Sequence, residues 1–196
     1  MSLRENEVGR RVAPHLEAGD TVLDLGAGTG RVSLWLARRA GVRPTLADVV
    51  PYSNRQREFP FLAMDDPFHV PAEDRSFDVV LLLFALHHNR YEAQSKIVAE
   101  AIRLMRRRLV VAEDTPFGRV DHAFNVAWDK VLNLRHGVPT PFAFRSVPEW
   151  LDVFLEHGMR AVHVESYRPR WPTLMTYHHS VFFLEPEGRL AASMAE

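Results

Sequence analysis

The chain has 196 residues, ordinary apolar and charged fractions and a formal net charge of −1, so it can hold one domain with a substantial core but projects no global basic field that would gather nucleic acid or anionic membrane. It contains no cysteine, which excludes disulfides, thiolate catalysis and zinc–thiolate sites. The polar N-terminus (Ser2-Leu3-Arg4-Glu5-Asn6-Glu7) is unlike a signal peptide, and the longest apolar run, near Val79 to Leu86, is too short to span a bilayer. The expectation is a cytoplasmic protein, a monomer or homodimer, with neither nucleic acid nor membrane as partner.

Arg4 to Val12 reads as a short helix, broken near Pro14. Thr21 to Leu25 is apolar on both faces, as a central parallel strand should be. Arg31 to Ala40 is a helix with Val32, Trp35 and Leu36 toward the sheet and Gly41 as its C-cap. Thr45 to Asp48 is the second strand, Pro51 to Glu58 a short helix, Phe61 to Met64 the third strand and Phe77 to Phe84 the fourth. Tyr91 to Met105 carries Ile97, Ala101, Leu104 and Met105 at helical spacing, and Leu109 to Ala112 is the fifth strand. Arg106-Arg107-Arg108 reads as a helix C-terminus, where positive charge suits the dipole. The alternation of strand and helix predicts a Rossmann-like α/β fold, a doubly wound, mostly parallel sheet covered on both faces.

The ending differs. Ser146-Val147-Pro148-Glu149 is a capping box that opens a helix carrying Trp150, Leu151, Phe154 and Leu155, with its stop at Gly158. Ala161 to Tyr167 and His178 to Leu184 follow as strands with no helix between them, which predicts an antiparallel hairpin at one sheet edge. Thr115 to Arg145 is an insertion. Its middle, Asp121 to His136, reads as a helix with Phe124, Trp128, Val131 and Leu132 on one face; it can add core or form a lid.

Val22-Leu23-Asp24-Leu25-Gly26-Ala27-Gly28-Thr29-Gly30 joins the first strand to its helix through a turn where a ligand can approach bare backbone. Asp48, at the tip of the next strand, suits the two hydroxyls of a ribose. Together they point to a nucleoside-containing cofactor. A dinucleotide site would need glycine where Arg31 stands. Asp24-x-Gly26-x-Gly28-x-Gly30 instead resembles motif I of the class I S-adenosylmethionine-dependent methyltransferases, of the small-molecule type similar to the methyltransferase-11 and ubiquinone-biosynthesis groups. The resemblance runs from roughly Leu16 to Leu184 and is strongest from Val22 to His88.

That resemblance implies a seven-stranded sheet with its last strand reversed, in a single domain over residues 1–196 with a helical lid at about 115–145. It implies S-adenosylmethionine as cofactor and S-adenosylhomocysteine as product. Gly26, Ala27, Gly28 and Gly30 would pass under the methionine part, and Asp24 would help to hold its amino group. Asp48, with Val49 beside it, would take the ribose. Alignment back from Phe77-Asp78 puts Asp66 on the adenine amino group, with Asp65 the alternative nearer the strand; Asp78 reads as structural. Phe84 and Ala85 would flank the cofactor at the end of the fourth strand.

In Leu86-His87-His88, one histidine would act as base or orienting group, or both would only shape the pocket. Glu113-Asp114 lie at the same productive edge and could bind substrate or a metal; with no His-x-His or His-Glu-x-x-His nearby, no metal is assigned. His88, Asp114, Trp128, Arg145 and Trp171 are the substrate-side candidates, and Phe142, Phe144 and Tyr167 could add to an aromatic pocket or simply to the core. The Asn/Asp-Pro-Pro-aromatic motif of base-modifying relatives is absent, which again sets nucleic acid aside. The implied reaction is methyl transfer to an oxygen, nitrogen or carbon of a small, partly apolar acceptor. A non-catalytic cofactor-binding protein, a protein methyltransferase and a non-methyl-transfer enzyme share the same signature.

Overall fold

The computed structural model describes residues 3–118, 121, 143–168 and 178–188. Its elements are α1 (Leu3–Val12), β1 (Thr21–Leu25), α2 (Arg31–Ala40), β2 (Arg43–Asp48), β3 (Phe61–Ala63), β4 (Phe77–Leu83), α3 (Tyr91–Leu104), β5 (Met105–Asp114), α4 (Val147–Glu156), β6 (Met159–Tyr167) and β7 (His179–Pro186). The strands form one sheet in the order β3-β2-β1-β4-β5-β7-β6. All pairs from β3 to β5 are parallel. β7 runs antiparallel to both β5 and β6, so it alone is reversed.

Two apolar layers cover the sheet, and strand alternation divides the side chains between them. Val79, Leu81, Val110, Ala112, Val181 and Phe183 face α1 and α2, where Val8, Val12 and Leu36 meet them. Val80, Leu82, Leu109, Val111, Phe182 and Leu184 face α3 and α4, where Ile97, Ala101, Leu104, Trp150 and Phe154 meet them. Alternate residues of β4, β5 and β7 are thus apolar for opposite faces, which is why these strands read as continuous hydrophobic runs. α2 ends on Gly41 at φ 69°, and Ser146 and Glu149 form the capping box of α4.

Two expectations are corrected, and a third falls outside the described residues. Residues 51–58 make turns rather than a helix; Pro51 and Pro60 bound a stretch too short and too polar to sustain one. β5 spans Met105–Asp114 rather than only Leu109 to Ala112, and contains Arg106, Arg107 and Arg108. The three arginines are strand residues, held by Asp78, by Asp20 with Glu17, and by Glu185 respectively. Paired across the sheet ends, they behave as tethers rather than as a helix cap. The helix expected over Asp121 to His136 lies outside the described residues, Asp121 apart. No helix among the described residues is long and apolar enough to cross a membrane.

Candidate functional site

β1 and β4 are neighbours from which the chain leaves in opposite directions, toward β2 and toward β5. Their carboxyl ends therefore leave a crevice uncovered. A cleft of about 560 Å³ opens there, with Gly26, Ala27 and Gly28 on one side, Asp48, Val49, Val50, Tyr52, Met64 and Pro67 on the second, and Phe84, Ala85, His88 and Asn89 on the third.

The glycine loop is shaped by its own backbone. Gly26 lies at φ 75° and donates its N–H to Ala47 O at 2.8 Å. A Cβ there would come within 2.7 Å of the Ala85 Cβ, so both conformation and space require glycine. Gly28, at φ 55°, donates its N–H to Asp48 Oδ2 at 2.8 Å, and Val50 N–H donates to Asp48 Oδ1 at 2.9 Å. The Asp48 carboxylate is thereby locked across the tips of β1 and β2. Each of its oxygens keeps a lone pair for a further donor. Burial, and then the Asp48 charge, push the Tyr52 hydroxyl upward.

Asp24 faces the opposite side of β1. It belongs to a second, smaller chamber of about 190 Å³ lined with Val8, Thr29, Arg31 and Phe84. Burial raises its carboxyl to about 6, opposed by the Ser33 hydroxyl, which donates at 2.6 Å, and reinforced by the Asp48 charge. Phe84 borders both cavities and does so at φ 58°, a left-handed backbone that non-glycine residues seldom adopt. Its N–H donates to Ala112 O at 2.7 Å, and its ring packs edge-on against His179 at 5.0 Å.

The β4–β5 side is held by buried side chains. Glu113, fully buried, accepts from Leu86 N–H at 2.7 Å and meets His87 Nδ1 at 2.6 Å. Gln94, also fully buried, donates to Leu86 O, Asn89 O and Ala143 O at 3.2, 3.1 and 2.7 Å. Arg145 Nε donates to Gln94 Oε1 at 2.8 Å. These contacts fix the short 3-10 turn Leu86–His88 between β5, α3 and the segment entering α4.

The two adjacent histidines separate cleanly. His87 is buried against Glu113 and the Phe144 ring, while His88 lines the cleft. Gly30 caps α2 and is not among the cleft-lining residues. Asp65 and Asp66 are exposed and outside the lining, which takes Met64 and Pro67 on either side of them; Asp66 Oδ1 accepts from Phe68 N–H at 2.7 Å. Asp114 meets His179 Nδ1 at 2.5 Å rather than facing the cleft. Arg145 lies over the rings of Tyr91 and Trp150, at 4.6 and 5.5 Å. Trp128, Phe142 and Trp171 lie outside the described residues. Asp78 accepts from Thr21 N–H and Oγ1–H at 2.9 and 2.6 Å, and these bonds hold its carboxyl down near 2. No group of three metal-ligating side chains occurs among the described residues. Sequence reasoning missed Tyr52, Asn89, Gln94 and His179; only Asn89, directly after the histidine pair, carried a positional signal.

Residues 22–108 match the model of a methyltransferase-domain family. The structure is similar to that of 1,6-didemethyltoxoflavin-N1-methyltransferase from Burkholderia thailandensis, solved with 1,6-didemethyltoxoflavin and S-adenosylhomocysteine (TM-score 0.71, 19% identity, 93% of this chain and 78% of that one). It is also similar to an S-adenosylmethionine-dependent methyltransferase from Methanosarcina mazei (0.69, 15%, 90% and 96%). A third is magnesium protoporphyrin IX methyltransferase from Synechocystis PCC 6803, with S-adenosylhomocysteine bound (0.64, 19%, 93% and 81%). At these identities the likeness is one of fold. No curated protein matches the chain by sequence. The family match across β1 to β5 and a seven-stranded sheet with only β7 reversed give the chain the fold of the class I S-adenosylmethionine-dependent methyltransferases.

Proposed function

We propose that the protein binds S-adenosylmethionine in the cleft and transfers its methyl group to a small-molecule acceptor. The observation that carries this reading is the pairing of a bare-backbone loop at Gly26–Gly28 with the locked Asp48 carboxylate across one cleft. The cleft's volume is within the range that takes a ligand of this size. The cradle suits a nucleoside: Asp48 can accept from ribose hydroxyls with its remaining lone pairs, and Val49, Met64 and Pro67 offer apolar surface to a base. The toxoflavin and protoporphyrin methyltransferases named above act on small molecules, which supports the same class of acceptor here.

When bound, the cofactor supplies a methyl group already activated by its sulfonium. The protein's task is then alignment and exclusion of water. Phe84 and Ala85 wall the cleft at the end of β4, and His88 and Asn89 continue that wall. Of the two histidines, His88 is the one that lines the cleft, where it can meet an acceptor and take a proton from an O–H or N–H nucleophile. His87 is committed to Glu113 and serves as its support. The cytoplasm is the compartment we assign to this activity.

Calorimetric titration with S-adenosylhomocysteine tests the reading, with NAD as the control ligand. Micromolar binding, weakened at least tenfold in Asp48→Asn (about 1.4 kcal/mol), is the expected result, and it licenses a screen of acceptors for methyl transfer. No binding of S-adenosylhomocysteine, or a preference for NAD, would remove the proposal.

A further inference from the structure

Away from the cleft, a trough of about 440 Å³ lies between α1 and α2, lined by Asn6, Arg10, Leu34, Trp35, Arg38 and Arg39. Asn6 and Arg10 are one helical turn apart on α1; Leu34 and Arg38, and Trp35 and Arg39, are one turn apart on α2. The lining is thus one face of each helix. Leu34 and Trp35 are partly buried and form the apolar floor, while the three arginines are exposed around it.

Two features set this trough apart from an ordinary solvated surface. The first is charge. Among the described residues Arg10, Arg38 and Arg39 have no carboxylate partner, and no acid lines the trough. Elsewhere Arg11, Arg103, Arg106, Arg107 and Arg108 each meet at least one carboxylate. Arg43, Arg55 and Arg57, which meet only backbone carbonyls, show that a missing carboxylate is no signal by itself; what marks the trough is that three such arginines converge on one apolar floor with no acid among its described lining. Helix dipoles account for basic residues in the last turns of α1 and α2, but not for three of them converging on one apolar floor.

The second is the way Trp35 is seated. A Cβ on Gly9 of α1 would come within 2.7 Å of Trp35 Cε3, so the indole lies directly on helix backbone. Glycine within a helix costs about 1 kcal/mol relative to alanine. Its presence at this point lets α1 close onto the indole and leaves the rest of the ring for the trough.

We propose that this trough is a docking site for an acidic protein segment that carries an apolar side chain between its carboxylates. Charge complementarity selects the occupant. Three unpartnered guanidiniums attract carboxylates, which they can engage in bidentate fashion. The apolar floor takes a leucine-like or aromatic anchor, the kind of buried contact that dominates small interfaces. A bare inorganic anion would leave Trp35 and Leu34 uncovered, and a flat membrane surface cannot reach a concave floor. The surface lies on the α1–α2 layer and shares no lining residue with the cleft.

The test uses the whole chain and a blocked pentapeptide with leucine flanked by two glutamates on each side, followed by calorimetry at low and moderate salt. Binding that weakens as salt rises, and that drops at least tenfold in Arg38→Glu/Arg39→Glu but not in Arg160→Glu on the far β6 edge, is the expected result. S-adenosylhomocysteine affinity of the double variant should stay at the wild-type value, which shows that the variant is folded and separates this site from the cleft. The proposal is overturned if the peptide fails to bind at low salt, or if the charge reversal leaves its affinity unchanged. It is equally overturned if inorganic phosphate or anionic phosphatidylserine vesicles show the same arginine dependence while the peptide does not.

Discussion

On its β1–β2 side the cleft is made by main chain. Gly26 and Gly28 take left-handed conformations, Ala47 O holds the loop, and one carboxylate, Asp48, ties the two strand tips through backbone N–H groups. On its β4–β5 side the cleft is made by buried side chains. Glu113 and Gln94 carry the turn that presents His88, and neither touches the cleft itself. The first wall is rigid because other conformations collide. The second is rigid because every alternative strands a polar group away from water. Substitutions should therefore damage the two walls differently. The first should lose ligand affinity before stability, and the second stability before affinity.

The largest effect is expected at Glu113. Glu113→Ala strands the Leu86 N–H and the His87 imidazole in the core and should cost about 3–5 kcal/mol in urea denaturation. Glu113→Gln, which keeps an acceptor for Leu86, should cost less than half of that. Equal costs, or a loss below about 1 kcal/mol, would break the account of this wall.

Next comes the buried acid behind the loop. Asp24 is raised to about 6 from an ordinary 3.8, so between those values the folded state binds a proton that the unfolded state has released. Stability should fall by about 3 kcal/mol as pH rises through that window, and the loss should be absent below it. Asp24→Asn, which keeps an acceptor for Ser33, should flatten this slope. A slope equal in the two proteins would assign it to another group.

Gly26→Ala sharpens the comparison most directly. Its positive φ and the approach to Ala85 predict a cost of about 1–3 kcal/mol, with S-adenosylhomocysteine binding lost in a protein that still folds. Retained affinity would mean that the loop adapts and that its shape is not the determinant. The smallest effect belongs to Ser146→Ala, about 1 kcal/mol from the capping box of α4, with no change in ligand affinity. Thermal melts and the same titration measure both.

The difference between the walls also explains what could be read from the sequence. Gly26, Gly28 and Asp48 belong to one β-α-β unit whose conformation local sequence dictates, so loop, strands and helix were legible to within two residues. The hairpin of β6 and β7, with its capping-box helix, was legible for the same reason. Glu113, His87 and Gln94 come from β5, the turn after β4 and α3. Nothing in their own neighbourhoods marks them as partners, and only the assembled sheet brings them together. The arginine run failed similarly: Arg106, Arg107 and Arg108 were read by their position after a helix, whereas distant carboxylates extend β5 through them. The place of Asp66 was not legible either: an ungapped alignment cannot foresee that Phe68 N–H donates to its Oδ1 and that it stands outside the cleft lining.

The position of β7 has a consequence for the order of synthesis. Leu109 to Asp114 on β5 pair with Leu184 back to His179 on β7, and β6 reaches the sheet only through β7. A ribosome releases β1 to β5 before β7, and a parallel sheet formed from those five strands would leave the Leu109–Asp114 edge of β5 unpaired. That edge would stay a template for stray strands until β7 arrives. Truncation before His179 would leave it open permanently, so the C-terminal hairpin closes the molecule against its own aggregation.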